Sequence, residues 1–180
     1  SGAGGFTLQA TCAVPIPYDV GSPNGRKNLG FSPEDEAAFH GAQVVGLRRS
    51  PGEDISCLNI ARATQPRLLG VPDALIARGG FSPITGRRHS AQNPWELLKV
   101  DSKDGTIPAF GDAASVRWSL HSGLGKLYRM KGPDGRELSL RFVGLLPGSI
   151  FAGDILVSPE SLARIYPAVP APSYLLVPAP

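Results

Sequence analysis

Short apolar runs, each ended by glycine or proline, mark the first half of the chain. The spacing of the apolar residues predicts extended segments at four places: residues 7–13, 43–48, 56–60 and 67–71. Short helices are predicted at three places: after Ser32, over 71–79 and over 94–98. The first of them has a serine cap, then Pro33 and three acidic residues, which is typical of a helix start. Residues 21–30 are predicted to form a loop and residues 81–93 to be irregular.

The second half of the chain has a clearer pattern. Its predicted elements are, in order, a strand (106–111), a helix capped by Asp112 (113–121), a hairpin (126–131 with 137–145), a strand (154–157), a helix opened by Ser158 and a last strand (173–177). The hairpin is predicted because a Pro-Asp-Gly turn lies between two β-rich runs. In the helix over 113–121, Val116, Trp118 and Leu120 are the apolar members. The second half therefore predicts the order β-α-β-β-β-α-β.

These elements predict an α+β fold with mixed or antiparallel sheets and short helices. Residues 1–105 are predicted to be a looser α+β lobe, and residues 106–180 a compact block with a Pro-rich tail. One continuous domain is the alternative, since 180 residues suit one ordinary domain or two small lobes. A chain of this length can bury a core without help from a metal or a disulfide.

Charge argues against a nucleic-acid partner. Eighteen Lys and Arg stand against fifteen Asp and Glu, which gives a net charge of +3. The charges are spread evenly over both halves, and the longest basic runs are the pairs Arg48 with Arg49 and Arg87 with Arg88. A nucleic-acid-binding protein would concentrate basic residues along one face.

The ends of the chain predict that it belongs to something longer. No stretch approaches the roughly 18–20 consecutive apolar residues that cross a bilayer, and no signal-peptide pattern is present. The sequence opens on a glycine-rich segment and closes on Val-Pro-Ala-Pro directly after an apolar run. We therefore expect a fragment whose parent protein has further segments.

No motif in the sequence predicts catalysis, a cofactor or a metal. The three histidines, His40, His89 and His121, are far apart and offer no pair of ligands on one helix face. His40 and His121 are predicted to lie where helices end, a position that favours a cation. The chain contains neither a G-x-S-x-G nor an S-x-x-K motif. The remaining catalytic alternative is a small hydrolase built on Cys57 with a histidine and an asparagine, or on a Ser-His pair.

Two cysteines, Cys12 and Cys57, leave two interpretations open. They are either two separate thiols or one disulfide that would stabilise the fold in an oxidising compartment. Sequence spacing does not decide between them, because the distance between the two Cα atoms does.

A contact site is predicted in the loop over residues 147–153. There Ile150 and Phe151 are flanked by glycines, unlike the other aromatic residues, which fit core positions by pattern. Such a pair either packs inward or is offered to a partner. If exposed, Ile150 and Phe151 form the candidate partner contact.

Seven segments of the second half carry a resemblance: residues 107–110, 113–121, Gly123-Leu124-Gly125, 127–140, Val143-Gly144-Leu145-Leu146, Ile155-Leu156-Val157-Ser158 and 159–166. In this order they resemble the extracytoplasmic region of FtsX-like ABC-transporter permeases, the MacB-like periplasmic core domain. Residues 54–59 and 66–71 resemble a large-permease subgroup. The chain departs from the family pattern at Lys126, where an aspartate commonly follows the second glycine.

The resemblance implies a non-enzymatic domain between two membrane helices, in the periplasmic part of a bacterial cytoplasmic-membrane protein. Its partners would be the rest of the permease, the ATPase subunit and a periplasmic protein. The domain would couple cytoplasmic ATP hydrolysis to movement of a substrate or partner outside the membrane. The alternative is a secreted glycan- or peptide-binding module that uses residues 81–94 as its groove.

Overall fold

The computed structural model describes residues 2–56, 65–86 and 93–178. Its strands are β1 (Phe6–Thr11), β2 (Val45–Arg49), β3 (Leu68–Gly70), β4 (Ile84–Thr85), β5 (Ile107–Asp112), β6 (Leu127–Lys131), β7 (Glu137–Leu146), β8 (Ile155–Val157) and β9 (Tyr174–Pro178). Its helices are α1 (Pro23–Asn28), α2 (Pro33–Ala38), α3 (Asp73–Arg78), α4 (Pro159–Ile165), a 3-10 helix (Pro94–Lys99) and a π-helical turn (Ser115–Ser119). The predicted α+β class and the order β-α-β-β-β-α-β are confirmed.

The described strands form one mixed sheet with the order β1-β9-β2-β3-β8-β5-β7-β4, and β6 pairs with β7 beside this path. The pairs β3–β8 and β5–β7 are parallel and the others are antiparallel. Strand β9, the last in the chain, lies between β1 and β2. The regions 1–105 and 106–180 therefore both contribute strands to the same sheet, and β9 is inserted between two strands of the first region.

Alternate residues of the central strands face two separate cores. In β8, Ile155 and Val157 face one core and Leu156 faces the other. We call the first the α4-side core, because α4 and the π-helical turn cover it, and the second the α3-side core, which α3 and the 3-10 helix cover. Since both faces are covered, β3 and β8 are buried along their whole length, as their unbroken apolar sequences require.

An irregularity in β7 lets it serve both cores. Ala109 of β5 lies opposite Phe142, but the next residue, Phe110, lies opposite Gly144. Val143 is therefore an extra residue in β7, and it packs against the α3-side core. A glycine is required at position 144, because a Cβ there would lie 2.6 Å from a ring carbon of Phe110.

Replacing Gly144 by alanine is therefore expected to lower the free energy of unfolding by about 1–3 kcal/mol, the usual cost of overpacking a core. The matched control is Gly123→Ala, whose new Cβ would meet only the Lys126 side chain at 3.9 Å. This control is expected to stay within about 0.5 kcal/mol of the parent chain. Urea unfolding of both variants checks the prediction, and equal losses would contradict it.

The prediction of a loop over residues 21–30 is wrong, because α1 lies there. A tertiary contact holds this short helix. Arg26 is only 5% exposed, and its Nε and Nη2 donate to the Glu36 carboxylate of α2 at 2.7 and 2.8 Å. Its Nη1 donates to the Val20 carbonyl, and its guanidinium lies over the Phe39 ring. Glycine and asparagine are poor helix formers, so local sequence alone does not indicate α1.

Helix α2 begins as predicted, with a full capping box. The Ser32 hydroxyl accepts from the Asp35 N–H, and the Asp35 carboxylate accepts from the Ser32 N–H. This backbone hydrogen bond lowers the pKa of Asp35 below its ordinary 3.8. The hydrogen bond with Arg26 likewise lowers the pKa of Glu36 below its ordinary 4.5.

Stability is therefore expected to fall as the medium is acidified. Both carboxylates have a lower pKa in the folded than in the unfolded chain. Their contribution to the stability of the fold is therefore complete above pH 4.5. It is lost as the pH falls through the lowered values. Urea midpoints measured across this range check the prediction, with Glu36→Gln expected to show a flatter profile. A midpoint that holds level or rises on acidification would contradict it.

The predicted helix over 113–121 is present, but most of it is a π-helical turn. Asp112 caps it as expected, since its Oδ1 accepts from the N–H groups of Ala114 and Ser115. Val116 and Leu120 are buried in the α4-side core. The prediction that Trp118 is an apolar member of the buried face is wrong, because its side chain is 64% exposed. Residues two apart on a helix point in different directions, so Trp118 cannot share the face of Val116 and Leu120.

Some predictions fall partly outside the described residues. Most of the extended segment over 56–60 does, as do residues 87–92 of the irregular region. The described part of that region contains the two-residue strand β4. None of the helices in the described ranges is both long enough and apolar enough to cross a membrane.

Candidate functional site

The described residues form an open groove of about 740 Å³. Its walls come from three separate parts of the chain: residues 98–108, the turn between β6 and β7, and α4. Buried apolar side chains contribute to its lining, among them Ile107 and Ile165. Because the walls are distant in sequence, the groove exists only in the folded sheet.

Charged side chains of both signs line the groove: Lys99, Arg136, Arg164, Asp101, Asp134, Glu137 and Glu160. Lys99 is held by an ion pair with Asp73 at 2.5 Å, and this contact raises the pKa of Lys99. Glu160 and Arg164 lie one turn apart on α4, and neither makes an ion pair with another described residue. One negative and one positive group are thus available on the α4 wall.

Three serines line the groove, and two of them, Ser158 and Ser161, are structural. Ser158 caps α4: its Oγ accepts from the Ser161 N–H, and its hydroxyl donates to the Ser161 Oγ, both at 3.1 Å. Both residues are buried. Among the described residues that line the groove, no histidine or cysteine lies beside them.

The two described histidines, His40 and His121, lie apart from the groove. His40 follows the end of α2, and His121 follows the π-helical turn with a φ of 48°, so the predicted positions at helix ends are confirmed. His89 lies outside the described residues. Within the described part of the chain, no three His, Cys, Asp or Glu side chains are grouped so as to hold a metal ion.

Cys12 is a free, half-buried thiol just after β1. Its N–H donates to the Ser173 carbonyl at 2.8 Å, which extends the contact between β1 and β9. Cys57, the other half of the disulfide considered from sequence, lies outside the described residues.

The predicted contact pair of the 147–153 loop is divided between surface and core. Phe151 is fully buried in the α3-side core, where its ring centroid lies 5.0 Å from that of Phe81 and 6.1 Å from that of Tyr174. Ile150 is half-buried against the same core, and its N–H donates to the Gly2 carbonyl. Of the two interpretations, packing inward describes Phe151, and only Ile150 keeps exposed surface.

A buried ion cluster lies directly after this loop. Asp154 is 2% exposed and accepts from Arg49 Nη2 at 2.7 Å and from Arg67 Nε at 2.9 Å. Arg67 also pairs with Asp54 at 2.6 Å, which balances two positive charges with two negative ones. Burial raises the pKa of Asp154, although the two guanidinium groups act in the opposite direction.

Tyr174 extends this cluster to the edge of the sheet. The Arg49 guanidinium lies 4.7 Å from its ring centroid, and its hydroxyl donates to Gln9 Oε1 at 2.7 Å. Burial raises the pKa of Tyr174 to about 12, so it stays a neutral donor. Asp154, Arg49, Tyr174 and Gln9 thus connect the start of β8 to β2, β9 and β1.

Neither the groove nor the ion cluster was predicted from sequence. Glu160 and Arg164 are four residues apart in a predicted helix, which places them on one face but does not show what lies opposite. Asp154 precedes the apolar segment Ile155-Leu156-Val157, and Arg49 and Arg67 adjoin other strands. Charged residues at the ends of fully apolar strands were the sequence signal for the ion cluster. A charge next to a buried strand is itself partly buried and needs a partner of opposite sign.

Comparisons with known proteins leave the family open. No protein-family model matches the chain, and no curated protein sequence matches it significantly. Among solved structures, it is similar to the extracellular domain of the noncanonic ABC-type transporter YknZ from Gram-positive bacteria. That similarity has 14% sequence identity and a TM-score of 0.36, and it covers 94% of this chain and 80% of the other. A TM-score of this size does not establish a shared fold, so no functional conclusion follows from it.

Proposed function

We propose that the chain is a non-enzymatic extracytoplasmic domain of an ABC-transporter permease. In this role it couples ATP hydrolysis by a cytoplasmic ATPase subunit to movement of a substrate or partner outside the membrane. The proposal includes the periplasmic location and the permease partners that the sequence resemblance implies.

The observation that carries the proposal is where the chain enters and leaves the fold. Strands β1 and β9 are antiparallel neighbours, and Phe6 lies opposite Pro178. Such partners have Cα atoms only about 5 Å apart. A domain inserted between two membrane helices needs its incoming and outgoing segments side by side, so this geometry suits one.

The sequence segments that carry the resemblance support the same proposal. Val143-Gly144-Leu145-Leu146 forms the end of β7, next to β5. Ile155-Leu156-Val157 is β8, and Ser158 caps α4 as the pattern requires. The ion cluster connects β9 to β8, so a displacement of the strands at the chain ends would reach the centre of the sheet.

The groove is the proposed contact surface for a partner, with Ile150 as a second candidate contact on a different loop. Glu160 and Arg164 of the groove, which make no ion pair with another described residue, suit a peptide segment that carries both charge signs. Phe151 supports Ile150 from the core and would not meet the partner itself.

Purification of the full-length protein from membranes tests the proposal. We expect an ATPase subunit with a nucleotide-binding P-loop to copurify, identified by mass spectrometry. We also expect that the isolated 180-residue chain neither binds nor hydrolyses ATP. A full-length protein without membrane helices or without an associated ATPase would contradict the proposal.

A peptide-binding module is the second candidate function, and the groove is the observation that favours it. None of the described residues lining the groove is aromatic, whereas glycan sites usually offer aromatic rings. The aromatic residues of the 81–94 region lie elsewhere: Phe81 is buried, and so is Trp95 just after it. Panning a peptide library against the native chain and against Arg164→Glu tests whether the groove binds peptides. Peptides that bind in the groove should be lost with Arg164→Glu and kept with the matched control, Arg117→Glu. Failure to recover any peptide that binds the native chain more tightly than Arg164→Glu would count against this candidate.

A further inference from the structure

The two edges of the sheet differ in how well they are protected from pairing with another strand. Strand β1 ends the sheet on one side and, among the described residues, pairs only with β9. On the other side lie β4, which is only two residues long, and β6, which pairs with β7. Strand β6 carries Arg129 and Lys131 and follows Lys126, and such charges oppose the addition of another strand.

Strand β1 has none of these protections. Its sequence, Phe-Thr-Leu-Gln-Ala-Thr, contains no charged residue and no proline, and its last five residues are exposed. Leu8 is 66% exposed. The register of β1 with β9 shifts between Phe6 and Leu8, so its regular part is residues 8–11. Soluble proteins rarely leave a regular, uncharged strand segment free at an edge, because its N–H and C=O groups bind other strands.

The hydrogen-bonding direction of β1 defines which groups face outward. Cys12 donates its N–H inward to Ser173 of the segment leading into β9. In an antiparallel strand the backbone N–H and C=O groups of alternate residues point the same way. Those of Ala10 and Leu8 are therefore also directed inward, toward β9. The N–H and C=O of Gln9 and Thr11 therefore point outward and are the groups that a new strand would meet.

We propose that two copies of this chain associate through β1, antiparallel, about a two-fold axis at Gln9. Gln9 of one copy and Gln9 of the second copy then exchange two backbone hydrogen bonds, since both present outward groups. In this register Leu8 lies opposite Ala10 of the second copy, which gives apolar pairs on one face.

The charge pattern favours a second copy as the occupant. Strand pairing about a two-fold axis at Gln9 places Gln9 opposite its own equivalent and Leu8 diagonal to the second Leu8, so a charge at either position would repel itself. Strand β1 is neutral throughout. The exposed face beside it continues as an apolar surface, because Leu8 is paired with Val177 and Ala10 with Leu175, both half-buried.

Sedimentation of the 180-residue chain over about 1 µM to 1 mM tests the association by mass action. We expect a monomer–dimer equilibrium in the native chain. Leu8→Lys is expected to weaken it at least about tenfold, because two ammonium groups come within about 7–8 Å across the two-fold axis. Leu127→Lys in β6, at the opposite edge of the sheet, is the matched control. Leu127 is also exposed, and its substitution should leave the equilibrium unchanged.

A crosslink fixes the register. In a chain with Cys12→Ser and Cys57→Ser, Gln9→Cys is expected to form an intermolecular disulfide on mild oxidation, since paired Cα atoms lie about 5.5 Å apart. Leu127→Cys in the same background should not. A chain that stays monomeric throughout would overturn the proposal, and so would a dimer that Leu8→Lys leaves intact or a Gln9→Cys chain that does not crosslink. Binding of an added extended peptide by a chain that stays monomeric would also overturn it, by assigning the edge to another occupant.

Discussion

Phe151→Ala is expected to lower the free energy of unfolding by about 3–5 kcal/mol, the cost of removing a large aromatic side chain from a packed core. Phe151 has no exposed surface and lies between the rings of Phe81 and Tyr174. The fixed backbone around it, held in part by the bond from Ile150 to Gly2, limits how far the cavity can collapse. Urea unfolding followed by circular dichroism measures the loss.

The matched control is Trp118→Ala, which removes a larger aromatic side chain from the surface. Trp118 is 64% exposed, so we expect a change within about 0.5 kcal/mol. A small effect of Phe151→Ala, comparable to the control, would show that the 147–153 loop does not pack as described.

Asp154→Asn is expected to be the next most damaging change, at about 2–4 kcal/mol. The amide keeps the shape of the carboxylate but leaves Arg49 and Arg67 without their shared counter-charge. Breaking a fully buried pair costs about 3–5 kcal/mol. The value here is lower because both arginines keep some solvent contact, and because the neutral amide also removes the burial cost that raises the pKa of Asp154.

Glu137→Gln is the matched control for this substitution. It removes a carboxylate from the exposed pair with Arg129, whose partners lie 3.6 Å apart. Exposed pairs contribute little, so the expected loss is below about 0.5 kcal/mol. Thermal and urea unfolding of both variants provide the comparison, and equal effects would mean that Asp154 is not the centre of the cluster.

Local signals in the sequence were enough for the elements of the second half. The Pro-Asp-Gly turn between β-rich runs predicted the β6–β7 hairpin, and Asp112 and Ser158 predicted two helix starts. Helix α2 was predictable for the same reason, since its capping box lies within four residues. In each case the stabilising contact is close in sequence.

Contacts between distant residues explain what the sequence did not predict. Helix α1 depends on Arg26 reaching Glu36, and the burial of Phe151 depends on rings from two other segments. The groove needs α4 to lie beside residues 98–108 and the β6–β7 turn. Strand β9 lies between β1 and β2, a pairing that no local pattern specifies.

Labelling of the full-length protein in intact cells tests the central proposal most directly. With Cys12, Cys57 and any further native cysteine replaced by serine, Lys103→Cys places one exposed thiol beside the groove, where a membrane-impermeant maleimide can reach it. We predict that the protein is labelled in cells with an intact inner membrane and that the label stays in the membrane after alkaline extraction. Labelling only after the inner membrane is opened, or release of the labelled protein by alkali, would contradict an extracytoplasmic domain of a membrane permease.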